Sequence, residues 1–155
     1  MSEMIKERPV AVLHQGKGYT IHVASNWYID EVNENQTFFY GPKVGKLRLG
    51  FYVTRIAKKK QTYMDVAAQR KVLHQKEKNY EVLREQDLSQ EQYNAFMRRS
   101  CWYAPKADTV LFIREIFTEN KDTIFILSCS IPNSKDMGVL DRATTHMMNS
   151  FRFTA

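Results

Sequence analysis

Between Asp108 and Phe153 the hydrophobic period of the chain changes from two to about three and a half. Thr109-Val-Leu-Phe-Ile-Arg-Glu-Ile-Phe-Thr118 and Thr123-Ile-Phe-Ile-Leu-Ser-Cys129 are rich in β-branched and aromatic residues, and Glu119-Asn-Lys-Asp122 between them is polar. That pattern predicts a β-hairpin. Both of its faces are apolar: Val110, Phe112 and Ile116 alternate with Leu111, Ile113 and Phe117, and Ile124 and Ile126 alternate with Phe125, Leu127 and Cys129. A sheet wet on one side would alternate apolar with polar, so the hairpin is expected at the centre of a sheet covered on both sides. Arg114 and Glu115 fall on opposite faces, and the ordinary exposure of charged residues places them near a strand end or the sheet rim. After Ile131-Pro-Asn133, Leu140, Ala143, Met147 and Phe151 recur at steps of three and four, which predicts a helix over 136–150. Ser134 or Asp136 would cap it, and Ser150-Phe-Arg-Phe153 would return aromatics to the core.

The same reading applies to the preceding chain. Val10–Leu13 and Tyr19–Val23 form an opening hairpin around Gly16-Lys-Gly18. Ser25-Asn26-Trp27 is a turn whose indole plugs the end of the core. Thr37–Tyr40 is a third strand, and Lys46–Ile56 a fourth, with Leu47, Leu49, Phe51 and Val53 on one face. From Gln61 to Lys78 the period becomes helical, with Tyr63, Val66, Ala67 and Leu73 in one stripe and Arg70 in the same row. Tyr80–Gln86 and Tyr93–Tyr103 return to strand. In the latter, Ala95, Met97 and Cys101 oppose Phe96 and Trp102.

Composition then narrows the function classes. The 155 residues, 43% hydrophobic and 26% charged, suit a single globular domain over 1–155. A net charge of +6 permits an acidic partner without requiring one. The densest positive run, Lys58-Lys59-Lys60, reads as a solvated loop, and without any nucleic-acid recognition motif no nucleic-acid partner is expected. Cys101 and Cys129 match no metal spacing and read as buried free thiols. His14, His22, His74 and His146 are too scattered for a metal motif, and His74 and His146 are expected to be partly exposed on their helices. Nucleophile-elbow, phosphate-loop and dinucleotide motifs are absent, so neither an enzyme nor a cofactor is expected. The first nine residues carry no leader-like apolar core, and no stretch approaches the roughly 18 apolar residues of a spanning helix. A cytoplasmic location follows as the expectation.

The order of elements, with Trp27 after the second strand and a terminal Ser150-Phe-Arg-Phe153, resembles the superfamily that includes PsbP, the bacterial protein DcrB and the yeast Ran-binding nuclear-import factor. The resemblance covers residues 18–153. Within that superfamily the likeness is strongest to small bacterial DcrB-like proteins, among them chaperones of type VI secretion effectors. It implies an α+β fold, an α/β/α sandwich with a central antiparallel sheet, and a non-catalytic protein-binding module. Its partner would be a protein, such as the apolar segments of a secreted effector that the module serves as chaperone or adaptor. An accessory protein binding a small apolar ligand or a membrane-associated complex is the alternative, and a homodimer is left open. The binding groove would be lined from the strands at 47–53 and 93–103, with Leu49, Phe51, Met97 and Trp102 as contact residues. The competing account places these four in a core beneath a helix.

Overall fold

A computed structural model of the chain describes residues 10–154. The stretch 1–9, expected to hold no leader, lies outside the described residues. The elements are β1 (Ala11–Gly16), β2 (Tyr19–Ala24), β3 (Tyr28–Asn33), β4 (Gln36–Val44), β5 (Leu47–Ala57), α1 (Tyr63–His74), β6 (Glu81–Asp87), β7 (Ala95–Ala104), β8 (Thr109–Asn120), β9 (Thr123–Pro132), α2 (Met137–Asn149) and β10 (Arg152–Phe153). Seven strands form one antiparallel sheet in the order β3-β4-β5-β9-β8-β7-β6, and β1-β2-β10 form a small second sheet.

The β8–β9 hairpin lies inside the large sheet, and its two apolar faces feed two cores. Phe125, Leu127 and Cys129 join Leu49, Phe51 and Val53 on one side, under Tyr19, Ile21 and Val23 of β2 and Met147 and Met148 of α2. Phe117, Ile124 and Ile126 face the other side, under Val66 and Ala67 of α1. The chain is thus α+β, with α1 on one sheet face and α2 sharing the opposite face with the small sheet. Ser150 ties that small sheet to α2, because its hydroxyl accepts the His22 amide at 2.9 Å. Trp27 packs on the edge of the same core, as expected. Its ring lies 2.7 Å from where a Cβ would stand on Gly41, so only glycine allows that approach.

Four features depart from the sequence reading. Tyr28–Asn33 is a strand where the sequence pattern predicts no element: it pairs with β4 at the sheet edge and is largely exposed, so its alternation carries little hydrophobic contrast. Arg114 and Glu115 sit in the middle of β8, and Glu115 is 0% exposed. His74 is buried, although Leu73 beside it is exposed. The helical stripe turns out to run through Val66, Ala67, Arg70 and His74, at spacings of three and four. Lys58, finally, does not float in solvent with Lys59 and Lys60, but pairs with Glu119.

Of the two cysteines, Cys129 is buried as expected, whereas Cys101 is only half-buried. Neither is bridged; β8 separates the strands that carry them. Burial pushes the Cys129 thiol up to about 12.

Candidate functional site

The placement of α1 determines the site. Thr62 and Asp65 close a capping box at its start, each side chain accepting the other's backbone amide. The Tyr63 amide donates to Glu119 at 3.1 Å, which pins this end of the helix to β8. Val66 and Ala67 then bury against Phe117 and Ile126. One turn further on, Arg70 stands over Tyr52 and Glu115, and after another turn His74 meets Trp102, with ring centroids 4.8 Å apart.

Beneath the helix lies an ionic cluster. The Arg70 Nε–H donates to Glu115 at 3.3 Å, and Arg70 Nη2 donates to the Tyr52 hydroxyl at 2.6 Å. Arg98, itself buried, donates to Glu85 at 2.9 Å and to the Ala67 carbonyl at 2.8 Å. His74 Nδ1 comes within 3.7 Å of the other Glu115 oxygen, and neither atom has a hydrogen-bond partner. Burial raises the Glu115 carboxyl above its ordinary range even though Arg70 and Arg98 pull it down. Burial, reinforced by Arg70 and Arg98, holds His74 down to about 4. Proximity to Glu115 would favour an imidazolium, but desolvation and two guanidiniums outweigh it, so the ring is neutral at pH 7.

This arrangement makes stability pH-dependent. Between pH 6.5 and 4 the unfolded chain protonates His74 while the folded chain does not. The contribution of neutral His74 is complete above pH 6.5 and is lost as pH falls towards 4. Glu115 acts with the opposite sign, because its folded form keeps a proton to higher pH than its unfolded form. Relative to His74→Phe, the wild-type protein is expected to lose roughly 2 kcal/mol more between pH 6.5 and 4.5. Urea titrations at the two pH values measure this difference, and parallel losses in both proteins would refute it.

Beside α1 the sheet is uncovered. A groove of about 660 Å³ runs there, with Phe38, Tyr52 and Ile126 on its floor and Val66, Arg70 and Leu73 along the helix. Beyond Phe38 the aromatic surface continues through Tyr40 to Tyr28, with ring centroids 5.8 and 6.3 Å apart. Tyr28 is 67% exposed and Leu73 53%. On the opposite side of the sheet a second cavity, of about 490 Å³, opens among Leu88, Tyr93, Ile116, Phe151 and Phe153 near the end of α2. Among the described residues no group of three or more His, Cys, Asp or Glu side chains could hold a metal ion, and no helix is long and apolar enough to cross a membrane.

The four residues expected to line one groove do not meet. Leu49 and Phe51 are fully buried in the core shared with β2 and α2, and Met97 is buried on that same face. Trp102 alternates to the opposite face and packs on His74 and Tyr80. Of the groove residues found instead, Arg70 lies in the predicted helical row, and strand alternation puts Tyr52 on the face opposite Phe51 and Val53. Phe38 and Tyr40 lie in the predicted third strand, and Tyr28 lies in β3, whose exposure leaves little hydrophobic alternation in the sequence.

This architecture is the fold shared by Mog1 and PsbP proteins. No protein-family model matches the chain, and a search of curated protein sequences finds no match either. Solved structures do match. The Saccharomyces cerevisiae Ran-binding protein Mog1p is 14% identical, with a TM-score of 0.65 over 94% of this chain and 95% of its own. Cyanobacterial PsbP from Synechocystis is 12% identical, with a TM-score of 0.64 over 95% and 93%. A Pseudomonas aeruginosa protein of unknown function, PA94, is 16% identical, with a TM-score of 0.64 over 94% and 98%. At these identities the likeness concerns the fold.

Proposed function

We propose that the protein is a non-catalytic binding module that holds a segment of a partner protein in the groove beside α1. The observation that carries this reading is the aromatic surface Tyr28-Tyr40-Phe38-Tyr52, which leads into a groove walled by the exposed Leu73. Large apolar side chains gathered on one open face, and not scattered, are characteristic of an interaction surface. The buried ionisable pair between helix and sheet points the same way. Glu115 on β8 and His74 on the sheet-facing side of α1 are nearly closed to solvent, where a substrate cannot reach them. Their chemistry is spent on fixing Arg70 and the sheet. Mog1p, described as Ran-binding, is a protein of this fold with a protein partner, which supports the reading by analogy only.

In its finer form the proposal is a cytoplasmic chaperone or adaptor for an exported or secreted effector, in keeping with the DcrB-like resemblance of the sequence. A second reading, an accessory protein for a small apolar ligand, draws on the 490 Å³ cavity near α2, which lies within the usual size range of small-molecule sites.

Photo-crosslinking in the source cells tests the main reading. A crosslinking amino acid at Tyr28 or Leu73 is expected to capture discrete protein species. The same group at Val139, equally exposed but on α2, is expected to capture none of them. Identical capture from all three positions would defeat the assignment of this face.

A further inference from the structure

Arg70 is not placed as an ordinary surface arginine. Its Nε–H is taken by Glu115 and one Nη2–H by Tyr52, which leaves Nη1 uncommitted among the described residues. The side chain is 24% exposed and lines the groove. Burying Glu115 costs stability that an apolar residue would not. What the chain obtains in exchange is a guanidinium held in one orientation on an apolar floor. A fixed guanidinium has already lost most of the rotamer entropy that a partner would otherwise have to immobilise.

Cations outnumber carboxylates on the adjoining sheet face. Lys43 and Arg48 pair across β4 and β5 in register with the side of the sheet that carries Tyr40 and Tyr52. Asp30, opposite Phe38, is the one carboxylate that β3, β4 and β5 place on this face among the described residues. The groove therefore combines an oriented cation, further cations along the rim and aromatic walls.

Resting on the protein-binding reading above, we propose that the groove receives an acidic segment of the partner. A carboxylate of that segment docks on Arg70, and a neighbouring bulky apolar side chain lies against Phe38 and Tyr52. A nucleic acid fits less well. Phosphate recognition gains its strength from many cations along a backbone, whereas here only a few surround an apolar trough and Asp30 stands among them.

The test is selection of a random-sequence peptide library on the full-length protein, followed by affinity measurement of the winners. Enriched peptides are expected to place Asp or Glu beside Leu, Phe or Trp. Their affinity should fall with added salt, and Arg70→Gln should weaken them about tenfold or more, the value of a hydrogen-bonded charge pair. Arg48→Gln, on the exposed rim, should weaken them about two- to threefold. If Arg70→Gln alone unfolds, the double variant Arg70→Gln, Glu115→Gln leaves no unpaired buried charge and answers the same question. Enrichment of neutral or basic peptides that still depend on Tyr28 would overturn the charge inference and leave the binding reading standing, as would an unchanged affinity in the Arg70 variants. Failure to enrich any peptide that Tyr28→Ala weakens would remove both. Displacement of selected peptides by polythymidine at lower concentrations than by the free peptide would overturn the inference in favour of nucleic acid.

Discussion

Glu115→Ala is expected to destabilise the protein by about 3 kcal/mol or more, the usual cost of breaking a buried ion pair from one side. Glu115 is fully buried in the middle of β8, and its carboxylate is the counter-charge for Arg70 and the near neighbour of His74 and Arg98. Without it, Arg70 can swing partly to water, being 24% exposed. Arg98 cannot follow: its side chain is only 4% exposed and depends on Glu85 and the Ala67 carbonyl. Urea denaturation should show a lower midpoint with an unchanged slope, since the folded surface hardly changes. The double variant Arg70→Met, Glu115→Leu should recover most of the loss, because apolar pairs of similar volume commonly match or exceed a buried ion pair in stability. If the double variant is no more stable than Glu115→Ala, the destabilisation comes from packing and not from stranded charge. The recovered protein should still lose the groove's preference for acidic peptides. Stability and recognition would then be separated in one molecule.

Phe125→Ala is expected to cost about 3–5 kcal/mol, as large-to-small changes of buried phenylalanines do. Phe125 lies on β9, which pairs with β5 and β8 inside the large sheet. Its ring meets Tyr19 at 6.1 Å, Phe151 at 5.6 Å and Phe153 at 5.5 Å between centroids. Those three belong to β2, the link after α2, and β10. One side chain therefore joins the large sheet to the small sheet and to the C-terminal tail. Tyr28→Ala, the same loss of an aromatic ring at an exposed position, should change stability by no more than about 0.5 kcal/mol. Urea midpoints of the two variants compare them directly. Similar losses would mean that Phe125 does not connect the sheets.

The sequence reading went furthest where neighbouring residues in the chain share one environment. The two-faced pattern of 109–129 separated Ile116, Phe125, Leu127 and Cys129 from Phe117, Ile124 and Ile126, as the two cores do, and the helices at 63–74 and 137–149 fall inside the predicted spans. Alternation at 47–53 placed Leu49, Phe51 and Val53 together on one face, as they are. It failed where a residue's partners lie far along the chain. Glu115 looked like a rim charge because Arg70, 45 positions away, is invisible to a local pattern. His74 looked exposed because Trp102, on the distant strand β7, is invisible to a local pattern. Tyr28–Asn33 escaped detection because an edge strand with little burial shows little hydrophobic alternation.

What the sequence determines by itself is a two-sided antiparallel sheet flanked by two amphipathic helices, because burial of alternating side chains acts through the local periods of strand and helix. Only the tertiary structure decides that the opening hairpin and the tail leave the main sheet to build a second one, that α1 covers one part of its face and leaves Phe38, Tyr40 and Tyr52 open, and that a buried carboxylate fixes Arg70 at the edge of the opening. Those choices depend on which strands pair and where a helix comes to rest. They are set by packing between distant segments, whose energies no local period records.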